Sequence, residues 1–402
     1  MGPLEGRNVV LGVTGSIAAY KAADLTSKLV QSGARVDVIL TDAAQEFVTA
    51  FTFRSLTGRP VYTSMFRPVT DQGEEHVALA RGADIVIVAP ATATTIARIA
   101  HGLADDLLSL TLLATRAPLL IAPAMDSQMW ESSATQANVR VVRDRGAVFV
   151  GPEAGRLASG QIGLGRLASP ETIVDAAKQV LARGGDLSEY HIVVSAGGTR
   201  EPVDPVRFIS NHSSGKMGYA LAEAARDRGA TVSLVSTVSS LPVPYGVELL
   251  PVATVEEMRE AVLKATEVAD ALVMAAAVSD FRPARVGEQK IKKNEGGGML
   301  LELVENQDFL HEVPDALVKV AFAAETEDVI VNARRKPMSH GHLDLICAND
   351  VSLPDSGFGV DTNRVTILDD KDGAEELPLL TKYEVAHRIL DRMVPLLEQR
   401  RR

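Results

Sequence analysis

The side chains with the most chemistry gather in one polar stretch near the middle of the chain. After a β-branched run, Ile192 to Val194, the sequence passes Gly197-Gly198 into a segment, Thr199 to Gly218, that carries Arg200, Asp204, Arg207, Asn211, His212, the pair Ser213-Ser214 and Lys216. An amphipathic helical pattern follows from about Tyr219, then a second apolar run, Val232 to Val235. This is a β-α-β unit with a long first loop, and a loop of that length after a buried strand is functional or disordered. Open α/β sheets bind ligands beyond the carboxyl ends of their strands, where this loop falls. Gly215 and Gly218 let backbone approach a ligand, Lys216 adds a cation at a helix start, and Asn211 both donates and accepts. An anion site results in outline. The run HSSGKMG lacks Walker A spacing, and a Gly-Lys pair before a helix also serves as an ordinary turn and cap.

A second constellation lies in AAAVSDFRPARVGEQKIKKNEGG, Ala275 to Gly297. Asp280 closes a strand there, and Lys290, Lys292 and Lys293 cluster in the loop behind it. Charge runs are commonly solvated surface, but in an acidic chain a lysine cluster at a strand end suits a triphosphate. In the first half, Gly15 and Ser16 form a turn at a helix start without the G-x-G-x-x-G spacing of dinucleotide folds. Thr92, Thr94 and Thr95 place hydroxyls and N–H donors at a strand end, suited to a planar hydrogen-bonding ring, and PAMDSQMW puts Asp126 at the same edge. Three strand ends thus converge. His76 opens a helix in EEHVALARGAD, where spacing alone assigns it no role.

The elements that must position these residues follow from the apolar runs. Strands are expected at Asn8–Val13, Val36–Leu40, Asp84–Ala89, Pro118–Ala122 and Val148–Val150, with a helix from Ala18 to Gln31 and another from Pro170 to Ala182. The second half repeats the pattern, with strands at Val247–Leu250, Ala271–Ala276, Val318–Phe322 and Leu343–Cys347, a hairpin near Val365–Leu368 and a final helix from Lys382. The fold class is α/β, as two doubly wound, Rossmann-like domains. A polar break at Arg183-Gly184-Gly185-Asp186 sets the boundary, giving domains 1–185 and 186–402.

Composition agrees with that architecture. The 402 residues exceed one ordinary core, and 46% hydrophobic with only 4% aromatic residues fits parallel sheets buried on both faces. A formal net charge of -11 argues against nucleic acid or an acidic membrane as partner. The single cysteine, Cys347, excludes an intrachain disulfide and reads as a packed strand residue in a reducing compartment. No leader-like run precedes Val9 and no apolar run reaches the roughly 20 residues that span a bilayer, so a cytoplasmic protein is expected.

The stretch AGGTREPVDPVRFISNHSSGKMG resembles the signature of the phosphopantothenate-cysteine ligase family, and the match is long and contiguous. The A-A-V-x-D-F/Y segment and K-x-K-K loop of that family are also present. The resemblance implies that Met274, Ala275, Ala276 and Asp280 contact a nucleotide and that Lys290 stabilises charge on the activated intermediate. It extends through Asn306-Gln307-Asp308-Phe309-Leu310, where the family has N-P-D-I-L, to Phe322 and two downstream lysines. Lys336 matches one; His340 stands near the other, so nucleotide affinity is expected to differ and to depend on pH. The implied reaction has the pantothenate carboxylate attack the α-phosphate of CTP, with magnesium on the triphosphate and no dedicated metal cage. Cysteine's amine then displaces CMP, a step assigned to Asn211.

The first half is similar to the flavin-dependent cysteine decarboxylases, for which a flavodoxin-like domain is implied. By that resemblance Gly15, Ser16 and Thr41 hold the phosphate side of FMN, Thr92, Ala93, Thr94, Thr95 and Ala124 line its ring, and His76 is the catalytic histidine. Two positions depart from the pattern. Asp126 replaces an Asn that contacts the substrate carboxylate, and in GRLASGQIGLGRL, a Gly-rich segment like the family's substrate clamp, Ser159 replaces a proton-donating Cys. An ionised Asp repels a carboxylate, and a hydroxyl is far less acidic than a thiol.

Taken together, the chain resembles the bifunctional decarboxylase/ligase family of coenzyme A biosynthesis. Expected partners are 4′-phosphopantothenate, cysteine, CTP and further copies of the chain, as trimers of the flavin domain and dimers of the ligase domain. Two alternatives stay open: an active ligase whose flavin domain is only a scaffold, and a nicotinamide-dependent oxidoreductase. CTP against ATP, and allosteric regulation, are not decided by the residues.

Overall fold

Parallel strands dominate the computed structural model, which describes residues 2–67, 74–292, 299–340, 343–353, 355–369 and 373–401, the side chains of 336–340 excepted. The chain divides into two compact units, Met1–Arg183 and Gly184–Arg402.

In the first unit the strands are β1 (Asn8–Val13), β2 (Arg35–Leu40), β3 (Val61–Tyr62), β4 (Ile85–Ala91), β5 (Leu119–Pro123) and β6 (Val148–Phe149). They form one parallel sheet in the order β3-β2-β1-β4-β5-β6. Val9, Val10, Leu11 and Val13 are all buried, because helices cover the sheet and alternate residues of β1 point to opposite faces. The strand order reverses between β1 and β4, leaving a crevice where their carboxyl ends diverge. The expected strands are found with shifts of one or two residues at their ends. The glycine-rich segment 155–167 is a hairpin, β7 (Glu153–Arg156) with β8 (Ile162–Arg166), in which Ala154 pairs with Leu164 and Gly155 with Gly163. Its glycines hide the period-2 pattern that announces a strand.

The second unit contains β9 (His191–Ala196), β10 (Glu201–Pro202), β11 (Phe208–Ile209), β12 (Thr231–Ser236), β13 (Glu248–Pro251), β14 (Ala271–Met274), β15 (Phe281–Pro283), β16 (Leu303–Glu305), β17 (Val318–Glu325), β18 (Leu345–Asp350), β19 (Thr362–Asn363), β20 (Val365–Asp369), β21 (Ala374–Glu376) and β22 (Leu380–Thr381). Its main sheet runs β13-β12-β9-β14-β17-β18-β20-β21. The first six of these strands are parallel in the same reversing order, and β20 and β21 complete the edge antiparallel. β17 and β18 each run three residues past their expected ends, to Glu325 and Asp350, and three further boundaries differ from expectation. The helix Lys216–Arg226 begins before Tyr219 because Gly215, at a φ of +78°, turns the chain into it. β14 stops at Met274 rather than Ala276, since the Ala276 N–H goes to the Ser195 hydroxyl (3.0 Å) instead of a ladder. β18 starts at Leu345, where its pairing with Val320 of β17 begins, and the Asp344 carboxylate just before it accepts from the Lys319 N–H (2.7 Å).

Candidate active sites

In the second unit the carboxyl ends of β14, β17 and β18, with the start of the helix at Lys216, enclose a cavity of about 550 Å³. Met274, Ala275, Ala276 and Asp280 line one wall, Gln307 to Leu310 another, and Phe322 the floor. Every nucleotide-contacting position expected from Met274 to Phe322 therefore faces one space, Lys290 excepted. Lys290 is exposed and does not line it, and the side chains of Lys336 and His340 lie outside the described residues, as does Lys293.

The wall is held by polar groups used internally. Thr199 Oγ1 donates to Ser279 Oγ (3.1 Å) and accepts from the Ser279 N–H (3.0 Å), and Asn306 Nδ2 donates to the Ser279 carbonyl (2.7 Å). Asn211 is fixed at both ends: Nδ2 donates to the Ala277 carbonyl (2.5 Å) and Oδ1 accepts from the Ser213 N–H (3.1 Å). A Cβ at Gly198 would stand 2.2 Å from Asn211 Oδ1, so glycine there is what lets the amide pack so closely. Sequence reasoning grouped Asp204 and Arg207 with the ligand-facing residues, but they face another loop. Asp204, fully buried, takes both Arg207 Nε (3.0 Å) and Arg207 Nη2 (2.6 Å), while Arg207 Nη2 also donates to the Ile291 carbonyl and Asp204 accepts the Ile291 N–H (3.1 Å). Burial pushes the Asp204 carboxyl up, yet Arg207 and three backbone N–H groups hold it well below the usual carboxylate range. The loop bearing Lys290 is thus anchored one residue away.

Lys216 lines the cavity but is already paired, with Asp361 Oδ1 (2.7 Å) and the Gly359 carbonyl (2.8 Å). Lys382 is a charged lining residue that sequence reasoning missed, as it missed Glu325, Asn349 and Asn363. Buried at the first position of the last helix, it donates to the carbonyls of Gly357 (2.9 Å), Val360 and Thr362. Burial, and then the Lys216 charge, lower it to about 8. Its signal was a cation at a helix N-terminus, the end the dipole disfavours. Cys347 is buried and its thiol is pushed up by burial, as a packed residue.

In the first unit the switch point is tied by Thr14, whose hydroxyl donates to the Pro90 carbonyl (2.7 Å) and accepts from the Thr92 N–H (3.1 Å). Ser16 accepts from the Ala18 N–H (3.3 Å) and donates to the Ala124 carbonyl (3.4 Å). Thr92 caps the helix Ala93–His101 and shares a hydroxyl contact with Thr95 (3.0 Å), and Thr41 caps the next turn. A Cβ at Gly15 would lie 2.4 Å from Ala43 Cβ, so the turn admits no side chain. Beside it a cavity of about 560 Å³ brings together Ser16, Ala124, Asp126 and Ser159. Ser159 Oγ donates to Asp126 Oδ2 at 2.9 Å. His76, half-buried at the start of the helix Glu75–Gly82, does not line this cavity within one chain. Among the described residues no group of three or more His, Cys, Asp or Glu side chains could hold a metal, and no helix is long and apolar enough to cross a membrane.

Each unit thus has a doubly wound sheet with a ligand-sized cavity at the strand ends, which defines a pair of nucleotide- or flavin-type α/β enzyme domains. Residues 2–182 match the family described as flavoprotein, and residues 187–396 the DNA/pantothenate metabolism flavoprotein C-terminal domain. The chain is 46% identical over 402 residues to the coenzyme A biosynthesis bifunctional protein CoaBC of Bacillus subtilis, covering 98% of each, and 44% identical over 407 residues to that of Escherichia coli K12, covering 99% of each. Among solved structures, the C-terminal domain of a CoaBC protein matches 54% of this chain and 99% of its own at 37% identity (TM-score 0.46). The FMN-dependent cysteine decarboxylase SpaF matches 43% and 99% at 31% identity (TM-score 0.38). The chain belongs to the family of bifunctional coenzyme A biosynthesis proteins. It is an enzyme with two activities, a phosphopantothenoylcysteine decarboxylase in the flavoprotein domain and a phosphopantothenate-cysteine ligase in the other.

Proposed function

We propose that the second unit ligates 4′-phosphopantothenate to cysteine at the expense of CTP, and that the first decarboxylates the product with FMN. The observation that carries the ligase half is the 550 Å³ cavity gathering Met274, Ala275, Ala276, Asp280, Gln307, Asp308, Phe309, Leu310 and Phe322 from separated segments. In the first step the pantothenate carboxylate oxygen bonds to the α-phosphorus and pyrophosphate leaves, with Lys290 swinging in to offset charge; Mg²⁺ carried in with the nucleotide would supply further charge neutralisation on the phosphates. In the second, cysteine's nitrogen attacks the acyl carbon and gives up a proton as CMP leaves, with the second N–H of the Asn211 amide, the one not given to the Ala277 carbonyl, aimed at the developing oxyanion. Lys336 and His340 complete the nucleotide contacts.

For the first unit, the donor set fits a flavin mononucleotide. Ser16 and Thr41 cap the helical turns after β1 and β2, where a phosphate is favoured, with Gly15 beside Ser16, and Thr92 opens the ring side across the strand-order reversal. Ala93, Thr94, Thr95 and Ala124 lie along the same edge. The chemistry FMN supplies when bound is reversible hydride acceptance from the thiol-bearing carbon, which makes the adjacent carboxylate labile. Because His76 stands apart from Asp126 and Ser159 in one chain, its catalytic role requires a neighbouring copy, which favours the trimeric flavin domain; a dimeric ligase domain and a cytoplasmic location complete the proposal.

One incubation tests both halves. Purified protein with 4′-phosphopantothenate, cysteine, CTP and Mg²⁺ should yield 4′-phosphopantetheine by mass spectrometry, and replacing CTP by ATP should slow it. Accumulation of phosphopantothenoylcysteine would reject decarboxylation, and no product would reject both assignments.

A further inference from the structure

Decarboxylation breaks one C–C bond and leaves its electron pair on the carbon that carried the carboxylate. That carbon must then gain a proton: the net change is R–CH(COO⁻)–CH₂SH + H⁺ → R–CH₂–CH₂SH + CO₂. Resting on the decarboxylase reading above, we propose that Asp126 and Ser159 are the proton-delivery pair for this carbon. Asp126 takes up the proton as the substrate carboxylate comes to lie beside it, and Ser159 hands it on.

The geometry supplies both members. Ser159, in the turn of the β7–β8 hairpin, reaches back 33 residues to Asp126 at the start of the helix Ser127–Glu131, and both face the 560 Å³ cavity. Asp126 Oδ1 is held by the Gln128 N–H at 3.0 Å, which fixes the carboxyl group so that Oδ2 remains toward the serine. The other charged groups of the cavity are Lys21, Arg156 and Arg166, with Glu153 acting on Lys21. Those cations draw the substrate carboxylate in. Once it arrives beside Asp126, two carboxylates occupy one site, and like charges so close favour sharing a single proton.

Loss of CO₂ removes one member of that acid pair and leaves the proton on Asp126. The hydrogen bond to Ser159 then reverses. In the resting protein the hydroxyl donates to the carboxylate; with Asp126 protonated, Oδ2–H donates to Ser159 Oγ and the hydroxyl hydrogen turns toward carbon. As the C–H bond forms, the Ser159 O–H bond breaks, the Asp126 proton moves to Ser159 Oγ, and Asp126 is again a carboxylate. The proton taken up on binding is the proton consumed, and the hydride exchange of the established reaction adds none. A serine alone is too weak an acid for this step; the carboxylic acid behind it supplies the driving force.

The test uses the full chain loaded with FMN and 4′-phosphopantothenoyl-alanine, an analogue that keeps the carboxylate and lacks the thiol. Calorimetric titration near neutral pH, in two buffers of different ionisation enthalpy, should show about one proton taken up per site by the wild type and none by Asp126→Asn. CO₂ release from true substrate should fall on the order of 10²-fold or more in Asp126→Asn and in Ser159→Ala. Adding Ser159→Cys to Asp126→Asn should restore it, because a thiol needs no carboxyl behind it. Flavin absorbance and unchanged ligase rates show that each variant is folded. No proton uptake by the wild type, or undiminished CO₂ release in Asp126→Asn, overturns the pair and leaves decarboxylation standing. Wild-type protein that binds FMN and releases no CO₂ overturns decarboxylation and the pair with it.

Discussion

The two units wind their parallel strands in the same order, reversing between the first and fourth strand, yet they use the resulting crevice differently. In the first unit the turns after β1 and β4 are short; Thr14 and Thr92 tie them to one another, and Ser16 ties the first to the end of β5. In the second, the connection after β9 runs through β10 and β11 before the helix at Lys216, and a further hairpin, β15–β16, leaves β14. The longer loops of the second unit build a walled cavity from one chain. In the first, His76 stands on the helix Glu75–Gly82, outside the cavity that holds Asp126 and Ser159. A shared sheet therefore puts a cavity at the same edge in both units, and the loops decide which side chains line it.

That contrast can be broken or sharpened by variants, beginning with the largest effect. His76→Ala should abolish CO₂ release and leave amide formation unchanged. Mixing it by co-expression with Gly15→Val, which drives a side chain into Ala43, should recover part of the release if copies share sites. No recovery in mixed oligomers would mean that each chain is self-sufficient after all. In the second unit, Asn211→Ala should cut amide formation by about 10²–10³ and let acyl-cytidylate build up, while Lys290→Ala should prevent that intermediate from forming. Quenched-flow product analysis separates the two, and normal rates in both would sink these assignments.

A smaller effect is expected at the loop anchor. Asp204→Asn should lower ligase kcat roughly tenfold, with limited proteolysis appearing near residues 287–292. The native carboxyl is held below its unfolded value, so its contribution is present above about pH 4 and lost as pH falls through the lower native value. Lys382→Met should raise the nucleotide KM severalfold with little change in kcat, and Lys382→Arg should retain more of the affinity. In wild type the KM should climb as pH rises through about 8, where the ammonium that grips Gly357 and Val360 deprotonates. The same lowered value means that this group's effect on global stability runs the other way, improving between about pH 8 and the unfolded lysine value near 10.4. The least change is expected at His387, half-buried, without a hydrogen-bond partner for its inaccessible Nε2, and lowered to about 4 by burial and then by Arg228. The unfolded state binds a proton near pH 6.5 that the native state refuses, so stability declines as pH falls from there toward 4. His387→Phe should flatten that part of the thermal-melt profile.

Much of this architecture was written in local patterns. Apolar runs such as Asn8–Val13 and Thr231–Ser236 carry enough β-branched residues to announce buried parallel strands, and the long polar stretch after β9 was visible as a ligand-side loop. The hairpin β7–β8 was not, because glycines erase alternation. Contacts between distant residues were also invisible: nothing in the spacing shows that Ser159 meets Asp126, that Arg207 faces Ile291, or that Lys382 closes a cavity begun at Ser213. Those pairings depend on how the sheet brings strand ends together. The family motifs singled out the right segments, but not which residues inside them turn toward ligand and which turn toward each other.

The bond set joining Asp204 and Arg207 to Ile291 has a consequence for timing. It pins the segment that carries Asn211 and the segment that carries Lys290 to a common hinge, with the Gly287 N–H on the Val203 carbonyl as a second rivet. Both segments lose much of their freedom when the protein folds, before any substrate is present. The two segments are hung on one pin before a nucleotide arrives, so the Lys290 side chain beyond the anchor, rather than the whole loop, is what remains to be ordered on binding.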